Sequence, residues 1–318
     1  MSEGKYTIKK LKKATRNPEI FKNHIYNQIQ TLKNKTIIKQ VYNGENFIQK
    51  DWDNLIVLDA CRPDFFKKYN PFEGEFSQKV SLGASSPEFF SYNFRKRQFH
   101  DTVYVTGNTN IERISEDSVH KIIKTYAETN GVNKGWLPET TFEHALRTYN
   151  EYPDKRMVVH FMQPHAPYLG DHAKKLRRRV AKRHQVRFRY MDVIGAETQK
   201  DADEHIRSLI DAFKYGYISQ EQLGKVYAEN LRIVFEYVEE LLRDIDGKTV
   251  ITSDHSESFG DFNGIYGHKD YSLSKKLREV PWLVIDGDRR DTYSDPPVES
   301  ASIDESIIHE NLRDLGYM

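Results

Sequence analysis

Five short apolar runs punctuate the chain: Leu55–Leu58, Val103–Val105, Met157–Phe161, Thr249–Thr252 and Trp282–Ile285. They are rich in β-branched residues and lack polar alternation, as expected of strands covered on both faces. Between them the apolar positions change to a helical period. Pro87–Arg97 begins with proline after a serine, and Glu139–Tyr149 follows the third-to-fourth-residue rhythm. Gln220–Arg243 is the strongest case, with Leu223, Val226, Tyr227, Leu231, Val234, Val238, Leu241 and Leu242 on one stripe. Strands alternating with helices predict an α/β fold, a three-layer sandwich with a central, mainly parallel β-sheet flanked by helices. In such sheets ligands bind beyond the carboxyl ends of the strands.

Residues 1–50 differ from the rest. They are Lys- and Asn-rich, with Ile20, Phe21, Ile25, Ile29 and Leu32 spaced as in a weakly amphipathic helix. They are expected to form a helical N-terminal arm on a main domain covering 51–318, the alternative being a basic helix for a membrane surface or a partner. Hydrophobic residues make up 38% of the 318, enough for a core, and charged residues 30%. A formal net charge of +1 argues against a general nucleic-acid binder. One cysteine excludes an internal disulfide framework and a Cys-rich zinc site. No apolar run approaches a membrane span and the N-terminus lacks the apolar segment of a secretory signal. The expectation is a cytoplasmic protein, or one peripheral at a membrane surface, and nothing in the sequence fixes its oligomeric state.

One stretch, 172–190, is dense in lysine and arginine. It sits in an insertion of about 171–215, between a strand ending in histidines and the long helix. It reads equally well as a solvated basic helix or as a clamp on an anionic substrate: a phosphorylated glycan, a lipid head group or, less favoured, nucleic acid.

Three strand ends carry chemistry. LIVLDACRPD delivers Asp59, with Arg62 and Asp64 behind it. VVHFMQPHAPY carries His160, then His165 between two prolines. VITSDHSESFGD delivers Asp254 and His255, and a Gly-containing loop leads on to His268 and Lys269. Carboxylates and imidazoles gathered at one sheet edge are ligands for zinc, manganese or a similar divalent ion. A hydroxyl is also available. In SLGASSPEFF, Ser85 and Ser86 precede Pro87, which marks a helix start, so Ser86 reads first as a helix cap. A serine there also faces the positive end of the helix dipole, where an anion binds well. Cys61 lies beside Asp59, but a thiol nucleophile needs a partnered histidine.

The segments LIVLDACRPD, GASSPEFF, VVHFMQPHAPY, KVYAENLRIVFEYVEELL, VITSDHSESFGD and GHKDYSLSKKLREVPWLV resemble, in order and spacing over roughly 50–290, the sulfatase-like branch of the alkaline phosphatase superfamily. The terminal NLRDLGY resembles its closing helix. The resemblance implies an alkaline phosphatase-like fold and one or two divalent ions, zinc or manganese first and calcium or magnesium as alternatives. It places Asp59, Asp254 and His255 as metal ligands. Ser85 or Ser86 falls at the nucleophile, with Pro two positions on favouring Ser85. His165 and His268 match histidines that bind a second metal or contact the transferred group, and Lys269 lies where many sulfatases place a lysine on it. Arg62 and His160 are candidates for substrate contact, His160 equally for a structural role.

Two departures matter. SSPEF and CRPDF both lack the arginine of the formylglycine motif, which argues against a sulfatase of that kind. Phe161 stands where two-metal members carry an aspartate. The reading is therefore a metal-dependent hydrolase of phosphate esters, a phosphatase or phosphodiesterase, acting on an anionic small molecule or a glycan or lipid phosphate. The alternatives are a phosphoryl-group transferase acting on a glycan, a sulfate-ester hydrolase, and a non-catalytic binder of an anionic polymer.

Overall fold

The computed structural model describes residues 34, 43–126, 135–188, 204–206, 208–262 and 264–298. Most of the expected N-terminal arm and all of the expected closing helix lie outside these residues.

A seven-stranded sheet forms the centre. Its strands are β1 (Asn54–Leu58), β2 (Glu75–Val80), β3 (Phe99–Thr106), β4 (Val119–Lys124), β5 (Arg156–Phe161), β8 (Thr249–Thr252) and β11 (Glu279–Ile285), in the order β2-β11-β8-β1-β5-β3-β4. Two small ribbons complete the strand set: β6 (Val186–Phe188) with β7 (Glu204–Ile206), and β9 (Ser258–Phe262) with β10 (Ile265–Gly267). The central pairs β8–β1–β5–β3–β4 are all parallel, in register Ile56↔Ile251 and Leu55↔Val158. All five runs read from the sequence lie in strands of this sheet. β11 runs antiparallel to both neighbours. It follows β8 through a loop and the β9–β10 ribbon, without the crossover helix that a parallel return requires.

The helices are α1 (Pro63–Tyr69), α2 (Ser86–Phe94), α3 (Pro138–Glu151), α4 (Asp171–His184), α5 (Leu209–Lys214) and α6 (Gln220–Asp244). Alternation along the strands divides the core in two. Ile56, Leu58, Val105, Val159 and Phe161 meet Leu231, Val234, Phe235 and Val238 of α6 on one face. Leu55, Val57, Tyr104 and Val158 meet Phe89, Phe90 and Phe94 of α2 on the other. Burying each such side chain contributes roughly 1.5–3 kcal/mol before entropy is counted. The sheet is therefore a central layer between helices, as the periodicity predicts.

Residues 172–184 of the basic stretch lie in α4. Ala173, Leu176, Val180 and Ala181 enter a third cluster with Leu223 and Val226 of α6. Lys174, Lys175, Arg178, Arg179, Lys182 and Arg183 are exposed on its other side. No helix among the described residues is long and apolar enough to cross a membrane.

Candidate active site

Alternation on the parallel strands also positions the site. Asp59 continues the phase of Leu55 and Val57, His160 that of Val158, and Asp254 that of Val250. All three thus emerge at the carboxyl edge on the α2 side. Their side chains are fully buried. His160 Nε2 lies 3.8 Å from Asp59 Oδ2 and 3.8 Å from Asp254 Oδ2. His255 Nε2 lies 3.6 Å from Asp59 Oδ1 and 3.4 Å from Asp254 Oδ2.

The turn after β1 is held from three sides. Ala60 adopts a left-handed backbone (φ 57°), rare for a residue with a Cβ. Its N–H donates to Asp254 Oδ1 and its carbonyl accepts from the Tyr227 hydroxyl of α6. Ser81, at the end of β2, donates to the Asp254 carbonyl. The two aspartates are thereby fixed relative to one another before any ion binds.

The structure separates the two serines. α2 starts one residue earlier than its proline suggests, so Ser85 occupies the cap position and Ser86 the first turn. The cap expected of Ser86 is not made: neither serine satisfies the helix N–H groups through its side chain. Ser85 Oγ instead donates to Asp270 Oδ1 at 2.5 Å. Ser86 Oγ donates to Asp59 Oδ2 at 3.1 Å and lies 3.4 Å from His255 Nε2. Gly83 permits this approach, since a Cβ there would meet the Phe89 nitrogen at 2.5 Å.

A second group adjoins the first. His165, Glu257 and His268 bring one ligand atom each within 4.8 Å of one another. His268 Nδ1 pairs with Glu257 Oε1 at 3.2 Å, and its ring lies 4.2 Å from that of His255 and 5.2 Å from that of His165.

Electrostatics sort these groups. Burial, then the neighbouring Asp254, pushes the Asp59 carboxyl well above its usual range. Burial, then His268, pulls His255 well below that of imidazole. Burial takes His160 and His165 down to about 4. His268 goes the other way: burial opposes its charge, but Glu257 outweighs burial and raises it. The lowered imidazoles favour the neutral form that can ligate a metal, while Glu257 favours the charged form of His268.

The donor set fits a divalent ion. Asp59 Oδ1, Asp254 Oδ2 and His160 Nε2 are buried without a hydrogen-bond partner, a costly arrangement that a cation relieves. Asp59, His160 and Asp254 bring one ligand atom each within 4.8 Å of one another, and His255 Nε2 lies 3.4 Å from Asp254 Oδ2, separations that a divalent ion can draw together. Tyr104 shares a hydrogen with His160 Nδ1 at 3.0 Å, which orients that ring.

Other candidates fall outside this cluster. Arg62 is buried, and its guanidinium spends all five N–H groups on Asp64, Asp261 and the Glu257 carbonyl. So engaged, Arg62 ties the β9 strand to α1. Lys269 is exposed, and among the described residues no hydrogen bond or ion pair joins its side chain to the cluster. Cys61 is fully buried, and burial pushes its thiol well above the ordinary range. Cys61→Ala is therefore expected to keep full activity and to cost about 1–2 kcal/mol in urea unfolding. Loss of turnover in a folded variant would reinstate the thiol.

Four participants escape a reading of the three strand ends. Asn108 donates to Asp59 Oδ2 at 2.7 Å. It stands just past β3, a fourth strand end, so the same rule applied to Val103–Val105 would have found it. Glu257 lies inside the DHSE segment. Asp270 and Tyr104 have no sequence signal, because their partners are remote in the chain.

No protein-family model and no curated protein sequence matches the chain. Solved structures do. The soluble domain of lipooligosaccharide phosphoethanolamine transferase A from Neisseria meningitidis aligns at 12% identity and a TM-score of 0.43, over 73% of this chain and 75% of that one. The C-terminal periplasmic domain of phosphoethanolamine transferase EptC from Campylobacter jejuni aligns at 14% and 0.44, over 74% and 78%. A 2-O GAG sulfatase aligns at 11% and 0.44, over 83% and 70%. At identities of 11–14% these are likenesses of fold.

Proposed function

We propose that the protein is a metal-dependent enzyme that cleaves or transfers phosphoryl groups, with Ser86 as its nucleophile. The observation that carries this reading is the position of Ser86 Oγ, at a helix N-terminus and within 3.4 Å of both Asp59 and His255. Asp59, Asp254 and His255 would hold the ion, with the His160 nitrogen facing the same two carboxylates. An ion held there supplies positive charge that lowers the pKa of a neighbouring hydroxyl.

Asp59 accepts the Ser86 hydrogen bond and aims Oγ at the phosphorus. The first turn of α2 contributes its positive dipole to the anionic group. The Ser86 proton passes to Asp59 Oδ2, which accepts its hydrogen bond, and the Ser86 Oγ–P bond forms as the bond to the leaving oxygen breaks. His268, charged through Glu257, places its Nε2–H on an oxygen of the transferred group or gives that proton to the leaving oxygen. Transfer to water gives a hydrolase, which we favour; transfer to an alcohol gives a transferase.

The test is a screen of phosphate monoesters, diesters, phosphonate esters and sulfate esters after chelation and after adding back single metals. Chelation is expected to lower turnover at least a hundredfold, with recovery on zinc or manganese. Undiminished turnover by protein shown to be metal-free sinks the proposal. Turnover confined to sulfate esters redirects it to sulfuryl transfer.

A further inference from the structure

A cavity of about 710 Å³ lies along the far half of α2, lined by Tyr92, Arg95, Lys96, Arg97, Arg113 and Tyr271 among others. Its volume is that of a ligand site. Four of these side chains are cationic, against Asp117 alone on the acidic side. Arg97 is committed in part, donating to the Tyr92 and Asn93 carbonyls that end the helix. Arg95 and Lys96 are exposed and make no hydrogen bond or ion pair among the described residues. Lys96 holds a left-handed backbone (φ 53°), as the residue after a helix C-cap commonly does, which turns the chain away from the end of α2.

The cavity is coupled to the site by geometry. Tyr271 stands three residues past His268 and one past Asp270, the Ser85 partner. Its N–H donates to Glu88, one turn into the helix that carries Ser86. α2 has nine residues, so Ser86 and Arg95 are separated by on the order of 12–15 Å.

We propose that this cavity is a second anion subsite, holding a phosphate group remote from the bond that reacts. This rests on the phosphoryl-transfer reading and narrows its substrate class. The substrate carries two anionic groups on one scaffold, the first at Ser86 and the second between Arg95, Lys96 and Arg113, with Tyr92 and Tyr271 against the segment that joins them. Arginine forks suit that phosphate, and each charge-assisted contact adds to affinity rather than to the chemical step.

The test uses metal-loaded full-length protein and two non-hydrolysable probes, the bisphosphonate of a ten-carbon α,ω-alkane and the matching monophosphonate, titrated by calorimetry. The bisphosphonate is expected to bind at least about tenfold more tightly. The exposed double variant R95Q/R113Q should erase that margin and leave monophosphonate affinity unchanged, and K96Q should erase part of it. Equal affinity of the two probes for the wild-type protein overturns the proposal, as does a margin that survives in R95Q/R113Q. The margin is a binding ratio, so it is read whether or not Ser86 proves to be the nucleophile.

Discussion

Ser86→Ala should lower turnover of an aryl phosphate ester by on the order of a thousandfold or more, while metal content stays at the wild-type level. Ser85→Ala should fall within about tenfold of wild type. The asymmetry follows from where the two hydroxyls point. Ser86 Oγ touches the Asp59 carboxylate and faces His255, so its removal deletes the atom that would attack and leaves Asp59, Asp254 and His255 in place. Ser85 Oγ is tied to Asp270, so its removal loosens one link between the α2 entry and the His268 loop. Steady-state kinetics with elemental analysis of the same samples checks both. A dead Ser85→Ala beside an active Ser86→Ala reverses the assignment.

That assignment shows where sequence reasoning ends. Proline two positions downstream favours Ser85, and the position before a helix-starting proline favours Ser86 as the cap. The cap expected of Ser86 requires a helix that begins at Pro87. It begins at Ser86, and one residue of phase at a helix start rotates a side chain by about 100°. Element boundaries also depend on tertiary contacts such as the Arg278 guanidinium donating to Glu88 Oε2, which local pattern does not contain.

The strands show the same division. β1, β3, β5 and β8 are buried on both faces and announce themselves as apolar runs. β2, with the sequence EFSQKV, and β4, VHKIIK, are the two edges of the sheet, and their polar, half-buried or exposed positions interrupt the apolar pattern. The gathering of Asp59, Asp254 and His255 at one sheet edge is legible because they follow the recognisable strands β1 and β8. Arg62 stands beside Asp59 and reads from the sequence as a candidate for substrate contact, but Asp261, some 200 positions away, takes two of its N–H groups.

The largest stability effect is expected at Arg278. Its guanidinium donates to Glu88 Oε2 at 2.7 Å, and both side chains are wholly buried. It also donates to the Leu82 carbonyl, while Glu88 accepts the N–H groups of Ala84 and Tyr271. The pair therefore clasps three segments: the turn before Ser86, the first turn of α2 and the loop beyond His268. Arg278→Met leaves the Glu88 charge buried with backbone donors only, which costs about 3–5 kcal/mol. The midpoint of urea unfolding should fall accordingly. Glu88→Leu combined with Arg278→Met removes both charges and should recover part of the loss, as expected for a pair whose desolvation offsets much of its attraction. If the single variant loses less than about 1 kcal/mol, the clasp is not what holds these segments. The double variant then separates stability from chemistry: with both charges gone and the fold intact, kcat should still fall, because Ser86 and His268 are no longer held to one another through the Glu88 carboxylate.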